Sequence, residues 1–178
     1  GKMIYWIWLS KIPGIGIHSR RQLLDYFKKP EAIYETDFSE LLKVKNIGER
    51  KAQLIMEARS LESSKRILFD CECKGIKIMT LKDDIYPNEV KGIPDMPTHL
   101  YYKGNPIKDS MGTAVVGPRR CSFKGKETAV RYASSLAQES IPVISGMAKG
   151  IDSYAHTACI KAGGYTVAVL GNGLDICY

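Results

Sequence analysis

The sequence has 178 residues, 44% hydrophobic and 25% charged, a globular composition that excludes an intrinsically disordered chain. Its 26 Lys and Arg against 19 Asp and Glu give a net charge of +7, and the excess is present both in the first 72 residues and in the remainder. That pattern argues against a basic tail and for an anionic partner met by folded surfaces.

In chain order, the apolar start Met3–Leu9 is too short to span a membrane and reads as a buried first helix. Apolar positions then recur at helical spacing at Leu23, Leu24 and Phe27, at Phe38, Leu41 and Leu42, and at Ala52, Leu54, Ile55, Ala58 and Leu61. Pro13-Gly14, Pro30 and Gly48 punctuate them, Asp37 and Ser39 are candidate caps, and one long helix is expected from about Glu49 to Asp70. Residues 1–72 are therefore expected to form a small all-helical domain. Within it, Ile12-Pro-Gly-Ile-Gly16 and Val44-Lys-Asn-Ile-Gly48 have the form of helix-hairpin-helix turns, followed by Arg20, Arg21, Arg50 and Lys51. Such turns bring backbone N–H groups close to a phosphate, although they also serve simply to close helix–helix corners or to build a protein-binding module.

After Gly75 the texture changes. Ile76–Leu81 and His99–Lys103 read as short strands separated by a turn-rich stretch with Pro87, Pro94 and Pro97. From Thr113 the order is strand (113–117), helix (about 123–140), strand (141–145), helix (about 151–162), strand (166–171). Continuous apolar strands alternating with helices indicate a parallel sheet buried on both faces. The fold class is thus α/β: residues 73–178 are expected to form a second domain around a mostly parallel sheet. The sequence stops at Tyr178, just after the third of these strands, so Val167–Leu170 is expected to be poorly covered, as in a piece of a longer domain.

Two strand–turn–helix junctions carry the chemistry. One runs Gly117-Pro-Arg119-Arg120-Cys-Ser122-Phe-Lys124; the other runs Ser145-Gly146-Met-Ala-Lys149-Gly150-Ile-Asp152. In a parallel sheet both lie at the carboxyl ends of the strands, where ligands bind. Neither matches the Gly-x-Gly-x-x-Gly of a dinucleotide site or the Gly-x-x-x-x-Gly-Lys-Ser/Thr of a P-loop. Arg119 and Arg120 suit bidentate phosphate contacts, and Lys124 and Lys149 add point charges. Ser122 and Ser145 could donate hydroxyl hydrogen bonds, while Gly117, Gly146 and Gly150 allow close backbone approach. Asp152 and His156 share a helix face, but a cap and a structural histidine are the simpler roles. No catalytic set, metal cluster or cofactor site is assembled. The cysteines Cys71, Cys73, Cys121, Cys159 and Cys177 lack zinc-type spacing, so reduced thiols in a cytoplasmic protein are expected.

Several ordered segments together resemble the DNA-processing protein A family (DprA, also called Smf). They are the Ile12–Gly16 hairpin, Tyr86-Pro87, Pro97-Thr-His-Leu-Tyr-Tyr-Lys-Gly104 and Val115-Val-Gly-Pro-Arg-Arg120. The series continues with Ser145-Gly-Met-Ala-Lys-Gly-Ile-Asp152, His156, Gly163-Gly164 and Ala168-Val-Leu-Gly-Asn-Gly-Leu-Asp175. The resemblance implies a non-enzymatic, cytoplasmic binder of single-stranded DNA that helps load the RecA recombinase during natural transformation. It also implies a homodimer when full length, through strands beyond Tyr178. The resemblance makes residues 73–178 a partial Rossmann-like domain with an extended, mostly parallel sheet; in that family this domain carries the DNA pocket around a Gly-Ser/Thr-Arg turn, which aligns here with Gly117-Pro118-Arg119. Pro118 replaces the hydroxyl residue and removes a backbone N–H. The rival class is a nucleotide phosphoribohydrolase of the Lonely-guy type, which shares the strand, Gly-rich turn, helix, Gly-Gly layout. Its Pro-Gly-Gly-x-Gly-Thr segment is absent from these residues.

Overall fold

The computed structural model describes residues 2–108 and 111–176, so Cys177 and its expected thiol lie outside the described residues. The chain divides into two compact units, 1–108 and 109–178. The boundary expected after residue 72 falls at the end of a helix, and the compact division keeps the short strands that follow with the helices.

The first unit begins with α1 (Met3–Lys11), α2 (Ile17–Phe27), α3 (Pro30–Glu35), α4 (Phe38–Leu41), α5 (Glu49–Glu57) and α6 (Glu62–Cys73). Their apolar faces meet in one core built on Trp8, Leu9, Ile12, Ile15, Leu23, Ile33, Leu41, Val44, Ile47 and Ile55. The two hairpins are structural copies. Ile15 N–H donates to the Ile12 carbonyl and Ile47 N–H to that of Val44, and the third residue of each turn has positive φ, 74° at Gly14 and 61° at Asn46. The buried pairs Ile12/Ile15 and Val44/Ile47 anchor both turns to the core. Lys51 Nζ donates to Ser19 Oγ (2.9 Å) and to the Asn46 carbonyl (3.0 Å), which ties the second hairpin to α2. Asp37 caps α4 by accepting the Glu40 N–H, while the Ser39 hydroxyl donates to Asp37 rather than capping.

The long helix expected from Glu49 to Asp70 is instead two helices, broken at residues 58–61. The reason lies in the carbonyls that a continuous helix would need. The Ala58 carbonyl accepts the Trp8 indole N–H at 2.7 Å, and that of Arg59 accepts the Tyr34 hydroxyl at 3.4 Å. The Arg59 guanidinium meanwhile reaches the Thr36 carbonyl. Tertiary hydrogen bonds thus replace the helical ladder there.

The same unit contains β1 (Lys77–Thr80), α7 (Asn88–Lys91) and β2 (His99–Tyr102). β1 and β2 pair antiparallel, Lys77 opposite Tyr102 and Thr80 opposite His99. Tyr86 lies buried in the turn-rich connection, and its hydroxyl donates to the Pro97 carbonyl at 2.6 Å; burial pushes its pKa up to about 12. His99 is buried with its ring edge-on to Tyr101, and burial, reinforced by the Arg20 charge, pushes its pKa down to about 4.

The second unit is β3 (Thr113–Ala114), α8 (Phe123–Gln138), β4 (Val143–Ser145), α9 (Ile151–Lys161) and β5 (Thr166–Ala168). The sheet is parallel in the order β3-β4-β5, with Thr113 opposite Val143 and Val143 opposite Thr166. This is the strand–helix alternation read from the sequence, with a small core of Ala133, Ala137, Val143, Ala155, Ala158 and Cys159. The strands are shorter than expected. Val116 and Val169, at 69% and 65% exposed, lie where longer strands would run. Among the described residues, no helix is long and apolar enough to cross a membrane. Cys73, Cys121 and Cys159 are free thiols.

Candidate nucleic-acid interface

The two junctions of the second unit come together, and their backbones touch. Gly150, which opens α9, has φ 89° and ψ −131°, a conformation reserved for glycine. A Cβ there would collide with the carbonyl oxygens of Pro118 and Arg119. A Cβ on Gly117 would likewise fall 2.7 Å from Ile151 Cγ1. The first turn therefore crosses directly over the start of α9, where Ile151 N–H donates to the Pro118 carbonyl at 3.4 Å. Pro118, which departs from the expected hydroxyl residue, contributes that carbonyl.

This closeness corrects one expectation. A helix start at the end of a parallel strand ordinarily offers N–H groups to an anion, but two of the first three of α9 are engaged within the protein, Ile151 N–H by the Pro118 carbonyl and Ser153 N–H by that of Ala148. Ser145, expected to face a phosphate, is only 3% exposed, and its hydroxyl donates to the Val115 carbonyl at 2.6 Å. That bond ties β4 to the strand beside it. Ser122 is the N-cap of α8, accepting the Gly125 N–H at 3.1 Å.

Asp152 departs from the cap role that its position suggests. It sits in the first turn of α9, 6% exposed, and does not cap its own helix. Its carboxylate instead accepts Gly146 N–H at 3.0 Å on Oδ2 and Gly117 N–H at 3.4 Å on Oδ1. The glycines of both turns thus share one internal anion. The only signal in the sequence was the position of an acid two residues after Gly150, where its side chain can turn back toward the strand ends. His156, one turn further on, is engaged elsewhere. The Thr166 hydroxyl donates to the Val143 carbonyl (2.8 Å), so it accepts from His156 Nδ1–H (2.7 Å), which fixes the tautomer. Burial lowers the His156 pKa, and the nearby Asp152 charge opposes that shift. This pair ties α9 to the sheet rather than forming an acid–base couple.

Four cations of the two junctions are open to solvent. Arg119, Arg120, Lys124 and Lys149 are all exposed, from the first turn, the start of α8 and the second turn. Phe123 stands among them at 75% exposed. Tyr154, by contrast, is half-buried, with Lys126 Nζ 4.8 Å from its ring centroid. Beside the cations a groove of about 640 Å³ runs between β3 and α8, with Ser122 and Lys124 at one end and Tyr132 and Leu136 on its wall. No group of three or more His, Cys, Asp or Glu among the described residues could hold a metal ion.

Comparison with known proteins agrees with this layout. A SAM-like helix-hairpin-helix tandem matches residues 9–60, the segment holding both hairpins. Protein Smf of Synechocystis is 29% identical over 179 residues, covering 98% of this chain and 45% of that protein. DNA processing protein DprA of Streptococcus pneumoniae is 42% identical over 100 residues, 56% of this chain and 35% of the relative. The X-ray structure of DprA from Streptococcus pneumoniae superposes with a TM-score of 0.75 at 31% identity, covering 98% of this chain and 60% of that one. The chain spans less than half the length of these two curated relatives. The model of the family DNA recombination-mediator protein A matches residues 77–178, more than half of the sequence, and the chain belongs to that family.

Proposed function

We propose that this chain binds single-stranded DNA through its phosphate backbone, without catalysing a reaction on it. The observation that carries the reading is the cluster of exposed Arg119, Arg120, Lys124 and Lys149 at the carboxyl end of a parallel sheet. Phosphate neutralisation by such side chains gives sequence-independent affinity with strong salt dependence. Ser122 and the glycines 117, 146 and 150 shape the turns that present the cations. Phe123 is the stacking platform for a base, because its ring is free where that of Tyr154 is covered.

The functional boundary we propose is after residue 72, since the recombination-mediator family model begins at residue 77. The helix-hairpin-helix tandem before it supplies a second, weaker backbone contact through its open turns. The name of the matching family, a DNA recombination mediator, supports a role in recombination, and the finer reading is that the cytoplasmic full-length protein, as a homodimer, hands the strand to the RecA recombinase. The binding proposal is tested by titrating oligo-dT and a duplex of equal length against the chain across a salt series. Preferential binding of the single strand, weakening steeply with salt, is expected; binding indifferent to salt would refute it. The finer reading is tested by whether the full-length protein speeds RecA filament growth on coated single strands.

A further inference from the structure

We propose that Asp152 is the positioning residue of the DNA-binding edge. Its carboxylate clamps the two turns to one another, and strand contact there runs through side chains and not through the glycine amides. The inference rests on the single-stranded DNA reading and deepens it.

A glycine-rich turn at the end of a parallel strand ordinarily holds a phosphate with backbone N–H groups. Here the two amides in position to do so, Gly117 and Gly146, both point at Asp152, one to each carboxylate oxygen. The carboxylate is nearly sealed from water, at 6% exposed. A phosphate approaching those amides would have to displace a buried anion of its own sign, so the amides are not available to it. The same carboxylate holds the Gly117 turn against the Gly146 turn, with Gly150 permitting the backbone contact beneath. Arg119 and Arg120 belong to one turn and Lys149 to the other. The clamp therefore fixes the spacing between cations contributed by two separate segments.

Electrostatics and geometry predict opposite signs for one substitution. Asp152→Asn removes a negative charge beside a site for a polyanion, which by charge alone tightens binding. As a clamp, asparagine keeps one acceptor but turns an NH2 donor toward the other glycine N–H, which releases one turn. The clamp therefore predicts binding to oligo-dT weakened by about tenfold, as expected for loss of a hydrogen bond to a charged group. The salt slope stays at the parent value because no phosphate contact is gained or lost. A circular dichroism spectrum and melting profile matching the parent qualify the variant as folded.

A second measurement needs no substitution. In the 178-residue chain, hydrogen exchange followed by NMR should show the Gly117 and Gly146 amides protected before DNA is added. Oligo-dT should leave that protection unchanged while shifting the Arg119 and Arg120 Nε–H signals. Equal or tighter binding by a folded Asp152→Asn protein, or protection of the two amides only after oligo-dT is added, would overturn the proposal. If the parent bound no oligo-dT, the DNA reading would fail, while fast exchange of both amides in the free chain would separately sink the clamp.

Discussion

In the helical unit, Gly16 and Gly48 lead into α2 and α5 with no atom other than those of their chain neighbours within 4 Å of where a Cβ would stand. In the parallel-sheet unit, Gly117 and Gly150 lead into α8 and α9 with a side chain or backbone carbonyls already filling that space. Both sets of turns have the composition of phosphate-binding loops, and the sequence alone gives them the same meaning. The packing separates them. The hairpin glycines leave their helix ends open to an approaching backbone, whereas the junction glycines let two segments of the protein touch each other. Of the two sets, the hairpins leave room for glycine-mediated phosphate contact, and on the proposed reading the junctions work through arginine and lysine.

The largest effect that would break this contrast comes from alanine at the two kinds of turn. Gly150→Ala should destabilise the parallel-sheet unit by more than about 3 kcal/mol, from the glycine-only backbone angles and the collision with two carbonyls. Gly16→Ala should cost about 1 kcal/mol or less, the loss of a tolerated N-cap residue. Urea unfolding followed by hydrogen exchange in each unit measures both, and equal costs would erase the distinction.

The helical unit also carries a pH dependence of its own. The pKa of His99 falls from 6.5 in the unfolded chain to about 4 in the folded one. Its contribution is therefore complete above pH 6.5 and declines as pH falls toward 4, because the unfolded chain then binds the additional proton. The decline amounts to about 3 kcal/mol at most. Both tryptophans of the chain, Trp6 and Trp8, lie in this unit, so their fluorescence during urea unfolding at pH 7 and pH 4.5 reports it. His99→Gln should flatten the difference.

A smaller effect is expected at the broken helix. Trp8→Phe leaves the Ala58 carbonyl without its indole donor and should cost about 1–2 kcal/mol. An unchanged midpoint of unfolding would show that residues 58–61 break the helix without help from α1.

These contrasts also mark how much the sequence disclosed. The alternation of strands and helices after Thr113 was legible because apolar runs and helical periodicity are local patterns, and the parallel order followed from them. The hairpins were legible from the repeated spacing of Ile12, Gly14 and Gly16 against Val44, Asn46 and Gly48. The break between α5 and α6 was not, because it depends on the Trp8 indole, fifty residues away, taking a carbonyl the helix would otherwise use. The exposure of Arg119, Arg120, Lys124 and Lys149 was legible in advance, since charge has to face solvent. The engagement of Ser145 and the clamp at Asp152 could not, because a hydroxyl or carboxylate looks the same in sequence whether its partner is a ligand or a neighbouring turn.

The central claim is that exposed cations of the two junctions hold the DNA backbone, and the salt dependence of oligo-dT binding tests it most directly. A folded Arg119→Ala, Arg120→Ala, Lys149→Ala protein should bind more weakly, with the log–log salt slope reduced by about 2, three phosphate contacts at roughly 0.7 each on a single strand. A triple variant that keeps both the parent affinity and the parent slope would contradict the account.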